Sequence, residues 1–379
     1  GGISEGLLEN CDIIGQEIQL GCPSFARVNN CNFFARADTG VIMYMYGGWC
    51  NVFTNCTAQD YMPNTFDTAM GRFYTVTAYG NRQENIYIGG NRTKDLTVNP
   101  MHYNQNSGEQ IMWEDMPITS TQKPVKVDGK TLTFANPVKG KVKWHSDVIV
   151  AAGKGMGQYR RVDDYDPETK TVTVVRPWDV MPDTDSVIQI GRPVRRIVVY
   201  DNYLDAKPRA YQAEHHIASA GVEPFGAAIE LIVEKNVFHE LRTGIATFSP
   251  YMFHHYAHNT FETNRTGIMI GHGTGAVTRG NAFDDIGLHV YQCTSGKKLP
   301  AMKLEIIEHN TGQDLPAVVR MGNRYNKNVE NCKIRLYKNE FTRGNPRDSG
   351  STAIRTTDPS NVVPAGNRWK GFAKEMAPE

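Results

Sequence analysis

A short phrase of residues recurs between positions 235 and 283 and decides the fold. It reads Lys235-Asn236-Val237-Phe238, then His258-Asn259-Thr260-Phe261, then Gly280-Asn281-Ala282-Phe283. Later copies begin at Lys338 and Gly366, and looser early ones stand at Asn30 and Asn55. Each full copy has a polar residue or glycine, an asparagine, a variable residue and an aromatic ring. A phrase that returns in this way predicts a repeat architecture.

A glycine at the start of a short β-branched strand recurs at a nearly constant distance before this phrase. Gly221 precedes Asn236 by 15 residues and Gly244 precedes Asn259 by 15, whereas the return from asparagine to the next glycine varies from 6 to 10 residues. One constant arc and one variable arc predict a solenoid with a fixed cross-section and loops of different length. An ordinary β-sandwich does not explain the constant arc. A period of about 22 residues with three short strands per turn indicates an all-β parallel β-helix, in which the asparagines stack between coils.

One segment, residues 117–193, interrupts the repeat. Neither the recurring asparagine nor the recurring glycine appears in it at the expected spacing. It has strand patterns of its own at Thr131-Leu132-Thr133-Phe134 and Thr171-Val172-Thr173-Val174-Val175. Turn signals such as Val127-Asp128-Gly129-Lys130 lie beside them. The sequence therefore predicts three parts: β-helix coils over 1–116, an inserted small β-subdomain over 117–193, and further coils with a C-terminal tail over 194–379.

Composition limits the classes of partner. The chain has 379 residues, 41 Lys and Arg against 40 Asp and Glu, and 10% aromatic residues. The balanced charge gives no electrostatic reason to expect a nucleic-acid partner. The longest apolar run, Val41 to Tyr46, is far too short for a membrane span. Four of the seven cysteines follow an asparagine, which predicts one repeated position where cysteine serves as a small buried residue.

The pattern over residues 1–116 and 194–370 resembles the right-handed parallel β-helix superfamily of pectin-lyase-like proteins. That superfamily includes polysaccharide lyases, glycoside hydrolases, epimerases, phage tailspikes and non-catalytic adhesins. The resemblance implies a polysaccharide or oligosaccharide partner and allows a homo-oligomer such as a trimer. A polysaccharide partner implies an extracellular or cell-surface protein. Because the chain begins in the middle of a repeat and without an initiator Met, we expect it to be a piece of a longer protein, with any signal segment missing from it.

The insertion predicts where a site would form. Removing its 77 residues leaves a 17-residue arc between Gly108 and Asn202, close to the constant arc. Glu109 and Glu223 are then expected on neighbouring strands about 4.8 Å apart. A subdomain that rises beside a strand face makes one wall of a groove, which is a typical place for a binding site.

Strand alternation assigns further residues to the outer face. If Val222, Ile245, Ile268 and Leu288 point inward, then Glu223 and His289 point outward. Arg242 and Arg265 each stand two residues before a repeat glycine and predict a short arginine stack. His272 lies between two glycines, which favours exposure.

Two chemistries fit these residues, and the sequence leaves both open. A uronate lyase needs a cation such as Arg242 or Arg265 and a base such as His272 or an arginine. A glycoside hydrolase needs two carboxyl groups, for which Glu109 and Glu223 are the preferred pair. Substrate binding is assigned to Arg242 and Arg265 together with His289, Tyr291 and Trp113, the aromatics being expected to stack on sugar rings. The reserve carboxylates are Glu114, Glu230 and Glu262.

No cofactor and no metal is predicted. The histidine pairs lack the spacing of a zinc site on a helix. Calcium between coils is compatible with the fold, but no dense aspartate cluster supports it. The alternative to an enzyme is a non-catalytic glycan-binding or structural solenoid of the tailspike or adhesin kind.

Overall fold

A computed structural model describes most of the chain. The described residues are 4–15, 18–21, 23–35, 41–46, 48–60, 72–77, 83–94, 109–114, 118–143, 145–208, 210, 212, 219–247, 251–271, 273–293, 304–321, 333–343, 351–356 and 358–378.

Within these residues, three long parallel sheets run side by side along a stack of coils, and each coil contributes one short strand to each sheet. Sheet A contains Leu7–Glu9, Arg27–Asn29, Val52–Thr54, Gln83–Gly89, Val194–Tyr200, Ala228–Glu234, His255–Ala257, Ala276–Arg279, Glu305–Glu308, Ile334–Tyr337 and Val362–Ala365, with Gly48–Trp49, Tyr251–Met252 and Gly273–Thr274 beside them. Sheet B contains Asp12–Gly15, Asn32–Ala35, Thr57–Asp60, Arg92–Lys94, Tyr203–Asp205, Val237–His239, Thr260–Glu262, Ala282–Asp284, Thr311–Gln313, Glu340–Thr342 and Arg368–Lys370. Sheet C contains Ile18–Gly21, Val41–Tyr46, Arg72–Thr77, Glu109–Glu114, Ala220–Phe225, Thr243–Ala246, Thr266–Ile270, His289–Cys293, Val319–Met321, Thr352–Thr356 and Lys374–Pro378. The predicted all-β parallel β-helix is therefore confirmed.

The predicted asparagine ladder runs through the turn between sheets A and B. Asn236 donates its Nδ2 to Oδ1 of Asn259 at 3.0 Å, and Asn259 donates in the same way to Asn281 at 3.0 Å. The ladder continues in both directions, through Asn202 to Asn91 and through Asn310 and Asn339 to Asn367. Each buried amide thus satisfies its neighbour in the next coil, which a buried polar group requires.

Cysteine occupies the same position in the first coils. The backbone nitrogen of Cys56 donates to Oδ1 of Asn91, so Cys56, and not Asn55, is the counterpart of the ladder asparagine. Cys31 and Cys56 are buried free thiols, and burial raises the pKa of Cys56 to about 12. The early copies of the phrase are therefore displaced by one residue from the assumed alignment, and Asn30 and Asn55 take the left-handed turn position, with φ of 52° and 55°.

Aromatic packing in the interior explains why a glycine recurs at the same position in successive coils. Phe238 stacks on Phe261 with ring centroids 4.8 Å apart, and Phe261 stacks on Phe283 at 4.6 Å. A Cβ atom on Gly244 would lie only 2.4 Å from the ring of Phe261. The repeated glycine therefore leaves the volume that the repeated phenylalanine fills.

The segment that interrupts the repeat forms a separate antiparallel sheet. Its strands, in spatial order, are Ile118–Gln122, Val187–Gly191, Asp147–Ala152, Tyr159–Asp166, Thr171–Val174, Thr131–Phe134 and Pro124–Asp128. The sheet has its own apolar cluster, which includes Leu132, Val172 and Ile188. It contacts the β-helix through Ile149, which packs with Ile229 and Met252.

Outside the sheets, a single 3-10 turn is formed by Pro359–Asn361 within the described ranges. No helix long and apolar enough to cross a bilayer occurs among these residues.

Candidate functional site

A cleft of about 430 Å³ opens on the outer face of sheet C. It contains two carboxyl groups, three guanidinium groups and one imidazole. The lining residues are Glu109, Ser219, Ala220, Glu223, Phe225, Arg242, Thr243, Ala246, Arg265, Thr266, Met269, Leu288, His289, Gln292 and Arg320. Five of the residues predicted from the sequence meet here: Glu109, Glu223, Arg242, Arg265 and His289.

Strand register explains why these side chains meet. One row runs across the strands from Glu109 through Ala220, Thr243 and Thr266 to His289. A second row contains Ala246, Met269, Gln292 and Arg320. Between the rows, two successive positions of each strand face the core, as Val290 and Tyr291 do.

Glu109 and Glu223 both line the cleft, but they are not direct neighbours as predicted. Glu109 pairs with Ala220, and Glu223 pairs with Met112 on the strand of Glu109. The two glutamates are therefore three residues apart along the strand direction, roughly 10 Å, as well as one strand apart. Both are largely buried, at 5% and 6% exposure. The alignment of Gly108 with Gly221 was wrong, because Gln110 occupies the place of Gly221.

The predicted arginine stack is present. Arg242 directly precedes Thr243, Arg265 directly precedes Thr266, and the two threonines pair in register. The nitrogen of Thr266 donates to the carbonyl oxygen of Arg242 at 3.0 Å. Loss of water around Arg242, together with the nearby charge of Arg265, lowers the pKa of the Arg242 guanidinium from its usual value. Two like charges held side by side in this way favour an anion between or above them.

Buried polar side chains hold the turns that carry the arginines. Oδ1 of Asn264 accepts from the nitrogen of Leu241 at 2.8 Å, and Oγ of Ser219 accepts from the nitrogen of Arg242 at 2.9 Å. Ser219 in turn donates to Gln212 at 2.6 Å. The backbone of the stack is thus fixed independently of any ligand.

His289 is a neutral imidazole in the cleft. Burial lowers its pKa to about 4, and the positive charges of Arg320 and Arg265 act in the same direction. Its Nε2 lies 3.2 Å from Oε1 of Gln292. Because an amide oxygen can only accept, Nε2 carries the proton in this contact and Nδ1 keeps its lone pair.

Two predicted residues lie in the core instead of in the cleft. Trp113 and Tyr291 were expected to stack on sugars, but both are fully buried in the β-helix core, and this assignment was wrong. Tyr291 aligns with Ile268, so Tyr291 takes the inward place that was given to Leu288, and Leu288 is 39% exposed at the cleft. His272 lies outside the described residues.

The sequence reasoning missed Arg320, Gln292 and Phe225. Phe225 is an aromatic residue that lines the cleft and is 48% exposed. Arg320 stands between Val319 and Met321, both buried, so the alternation of that strand was a signal for an outward arginine. Among the residues described, no group of three or more His, Cys, Asp or Glu is arranged to hold a metal ion.

The fold and the cleft together define a parallel β-helix protein with a charged cleft on one of its three sheets. No protein-family model matches the chain, and no curated protein matches its sequence.

Three solved structures are similar to the chain over most of its length. An endo-xylogalacturonan hydrolase from Aspergillus tubingensis is similar, with a TM-score of 0.39, 8% identity, and coverage of 96% of this chain and 87% of that one. A family 6 alginate lyase in complex with a trisaccharide gives a TM-score of 0.40, 8% identity and coverage of 100% and 79%. A mannuronic-acid-specific family 6 lyase from human gut microbiota gives a TM-score of 0.41 and 11% identity, and the match covers 95% of this chain and 84% of that one.

Proposed function

We propose that the protein is a carbohydrate-active enzyme that binds an acidic polysaccharide in the cleft of sheet C and cleaves it. The observation that carries this proposal is the meeting of Glu109 and Glu223 with Arg242, Arg265 and Arg320 in one cleft. Buried carboxyl groups in a cleft are candidates for proton transfer. Three guanidinium groups beside them favour a ligand that brings negative charge of its own.

The apolar lining supports a sugar as the ligand. Phe225 and Leu288 are exposed at the cleft, and Met269 lies between the charged groups. A sugar ring has apolar C–H faces and polar edges, so it can pack on such side chains while its hydroxyl groups meet polar ones. A uronate adds the carboxylate that the arginines would bind.

Hydrolysis by the two glutamates is the reaction we favour. One carboxylic acid would protonate the leaving oxygen of the glycosidic bond, and the other carboxylate would take a proton from the attacking water. The offset of three residues leaves more room than the spacing of about 5 Å used for retention. The backbone positions are about 11 Å apart, so side chains that lean toward each other would bring the carboxyl groups to the wider spacing of roughly 6.5–9.5 Å, which accommodates a water molecule and inverts the anomeric centre.

Elimination is a second candidate, because a neutral imidazole lies close to the arginine stack. In that reaction an arginine pair stabilises the charge that develops on the uronate carboxylate. The Nδ1 lone pair of His289 would take the proton from the adjacent carbon, and that carbon's electron pair would form a carbon–carbon double bond. The bond from the neighbouring carbon to the glycosidic oxygen would break, and the departing oxygen would take a proton from the imidazolium or from water. His289 is thus a candidate base in addition to His272.

The test is digestion of acidic and neutral polysaccharides, following new reducing ends and unsaturated-uronide absorbance together. We expect reducing ends without absorbance from an acidic polymer, and a loss of 10²-fold or more in turnover for Glu223→Gln, typical of a removed acid or base. Glu234→Gln, on sheet A, is the matched control and should retain activity.

Each other outcome has a distinct meaning. Absorbance that rises with the reducing ends, and is lost in His289→Gln, would establish elimination instead. Binding of the polymer without cleavage by wild type and Glu223→Gln alike would assign the protein to the non-catalytic glycan-binding solenoids.

A further inference from the structure

A second pair of arginines continues the outward row of the cleft toward the C-terminal coils. Arg320 pairs in register with Arg355 on the next strand of sheet C. Their neighbours Val319 and Ile354 are fully buried, so alternation directs both arginines to the outer face. Arg355 is exposed, and its other register partner is Ala377.

The coil between the two arginine pairs brings no charged side chain to the cleft among its described residues. It presents Leu288, His289 and Gln292, of which Leu288 is apolar and His289 is uncharged at neutral pH. Arg242 and Arg265 lie on the two coils on one side of it, and Arg320 and Arg355 lie on the two coils on the other. The centres of the two pairs are three strand spacings apart along the stack, ~14 Å. They are also four residues apart along the strand direction, ~13 Å, because Arg265 stands one residue before the Thr266–His289 pair whereas Arg320 pairs with Gln292.

We propose that Arg320 and Arg355 form a second anion-binding subsite, so that the cleft takes a heteropolysaccharide whose acidic sugars are separated by neutral ones. This inference rests on the proposed function and specifies its substrate class. The resulting separation of ~19 Å is wider than one sugar ring. A sugar over the middle coil meets an apolar side chain, an amide and a neutral imidazole, which suit hydroxyl groups and C–H faces. A carboxylate placed there would lose water without gaining a cation of its own coil.

The test measures binding with the Glu223→Gln protein, so that cleavage does not interfere. The probes are three oligosaccharides of equal length: an unbroken oligouronate, an oligomer in which uronate alternates with a neutral hexose, and a neutral oligomer. We expect the alternating oligomer to bind most tightly. Replacing Arg320 and Arg355 together by glutamine should weaken that binding about tenfold or more and reduce its dependence on salt. Arg335→Gln, an exposed arginine on sheet A, is the matched control and should leave binding unchanged.

Failure of the subsite and failure of the proposed function are distinguishable. The second subsite is wrong if Arg242→Gln weakens binding while the variant with Arg320 and Arg355 replaced binds like wild type. It is also wrong if the unbroken oligouronate binds most tightly. In both cases the cleft still stands as the binding site of the proposed function. If none of the three oligomers binds, the proposed function fails together with the second subsite. Thermal unfolding of each variant shows that the fold is retained.

Discussion

At the scale of single residues, His254 shows what the core does to an ionisable group. It is buried at 1% exposure, its Nε2 donates to the carbonyl oxygen of Ala228 at 3.2 Å, and its Nδ1 lies 2.7 Å from the hydroxyl of Tyr256. Burial lowers its pKa to about 3. The imidazole therefore stays neutral in the folded protein at pH values where the unfolded chain, with a histidine pKa near 6.5, is already protonated.

This difference predicts that stability falls in mild acid. Between pH 6.5 and about 3 the unfolded state binds more protons at this site than the folded state, so the free energy of unfolding decreases as pH falls. From pH 7 to 4.5 we expect a loss on the order of 2–3 kcal/mol from His254 alone. Denaturant midpoints at the two pH values measure it.

His254→Gln should flatten this pH dependence even if it lowers stability at pH 7. His309→Gln, at a half-exposed histidine, is the control and should leave the dependence as it is in wild type. An equally steep dependence in His254→Gln would show that other groups cause the acid sensitivity.

At the scale of elements, the asparagine ladder is a structure that a single strand cannot form. Asn259 accepts from both the backbone nitrogen and Nδ2 of Asn236, and its own Nδ2 donates to the carbonyl oxygen of Val233 at 2.9 Å as well as to Asn281. Each amide is thus satisfied only when the coils above and below are in place.

Removing one step should therefore affect the whole stack. We expect Asn259→Ala to lower the free energy of unfolding by about 2–4 kcal/mol, because it leaves the buried backbone N–H of Asn236 without its acceptor and removes one acceptor of Asn236 Nδ2. Asn32→Ala, an exposed asparagine on sheet B that bonds to Asp12 and Thr57, should change it by less than about 1 kcal/mol. Equal effects of the two substitutions would contradict the ladder's role.

At the scale of the whole molecule, buried ion pairs join the inserted sheet to the β-helix. Asp147 and Arg161 belong to the inserted sheet, whereas Glu84 and Arg195 belong to sheet A. Nη1 of Arg195 lies 3.0 Å from Oδ1 of Asp147, and Nη2 of Arg161 lies 2.9 Å from Oε2 of Glu84, which also pairs with Arg195. Asp147 and Glu84 are both 1% exposed or less.

Breaking this network should loosen the inserted sheet. Asp147→Asn leaves Arg161, Arg195 and Arg196 around the single carboxylate of Glu84, and we expect a loss of about 3 kcal/mol, as for other buried pairs that lose one partner. Faster hydrogen exchange should appear in residues 118–191 before it appears in the sheets of the β-helix. Asp185→Asn, which removes an exposed ion pair with Lys123, is the control. Uniform exchange across the chain would show that the two parts unfold together.

The coil repeat and most of the charged groups of the cleft could be predicted from the sequence, because they depend on local regularities. The inserted sheet, which was expected to form one wall, contributes none of the described residues that line the cleft. The arc has 15 residues from Gly221 to Asn236 and from Gly244 to Asn259, so Arg242 and Arg265 were expected to stack and Asn236 and Asn259 to align. Glu109 and Glu223 were brought to one cleft by the same argument, although with the wrong register.

What only the tertiary structure decided is the register and the facing of residues where the repeat is irregular. Two successive inward positions, Val290 and Tyr291, break simple alternation, and a shift of one residue exchanges inside for outside. Tyr291 and Trp113 therefore fill the core, while Phe225 and Arg320 reach the cleft. Sequence periodicity records which residues repeat from coil to coil. The outward or inward direction of a side chain depends on hydrogen bonds to the coils on either side, which exist only once the stack has formed.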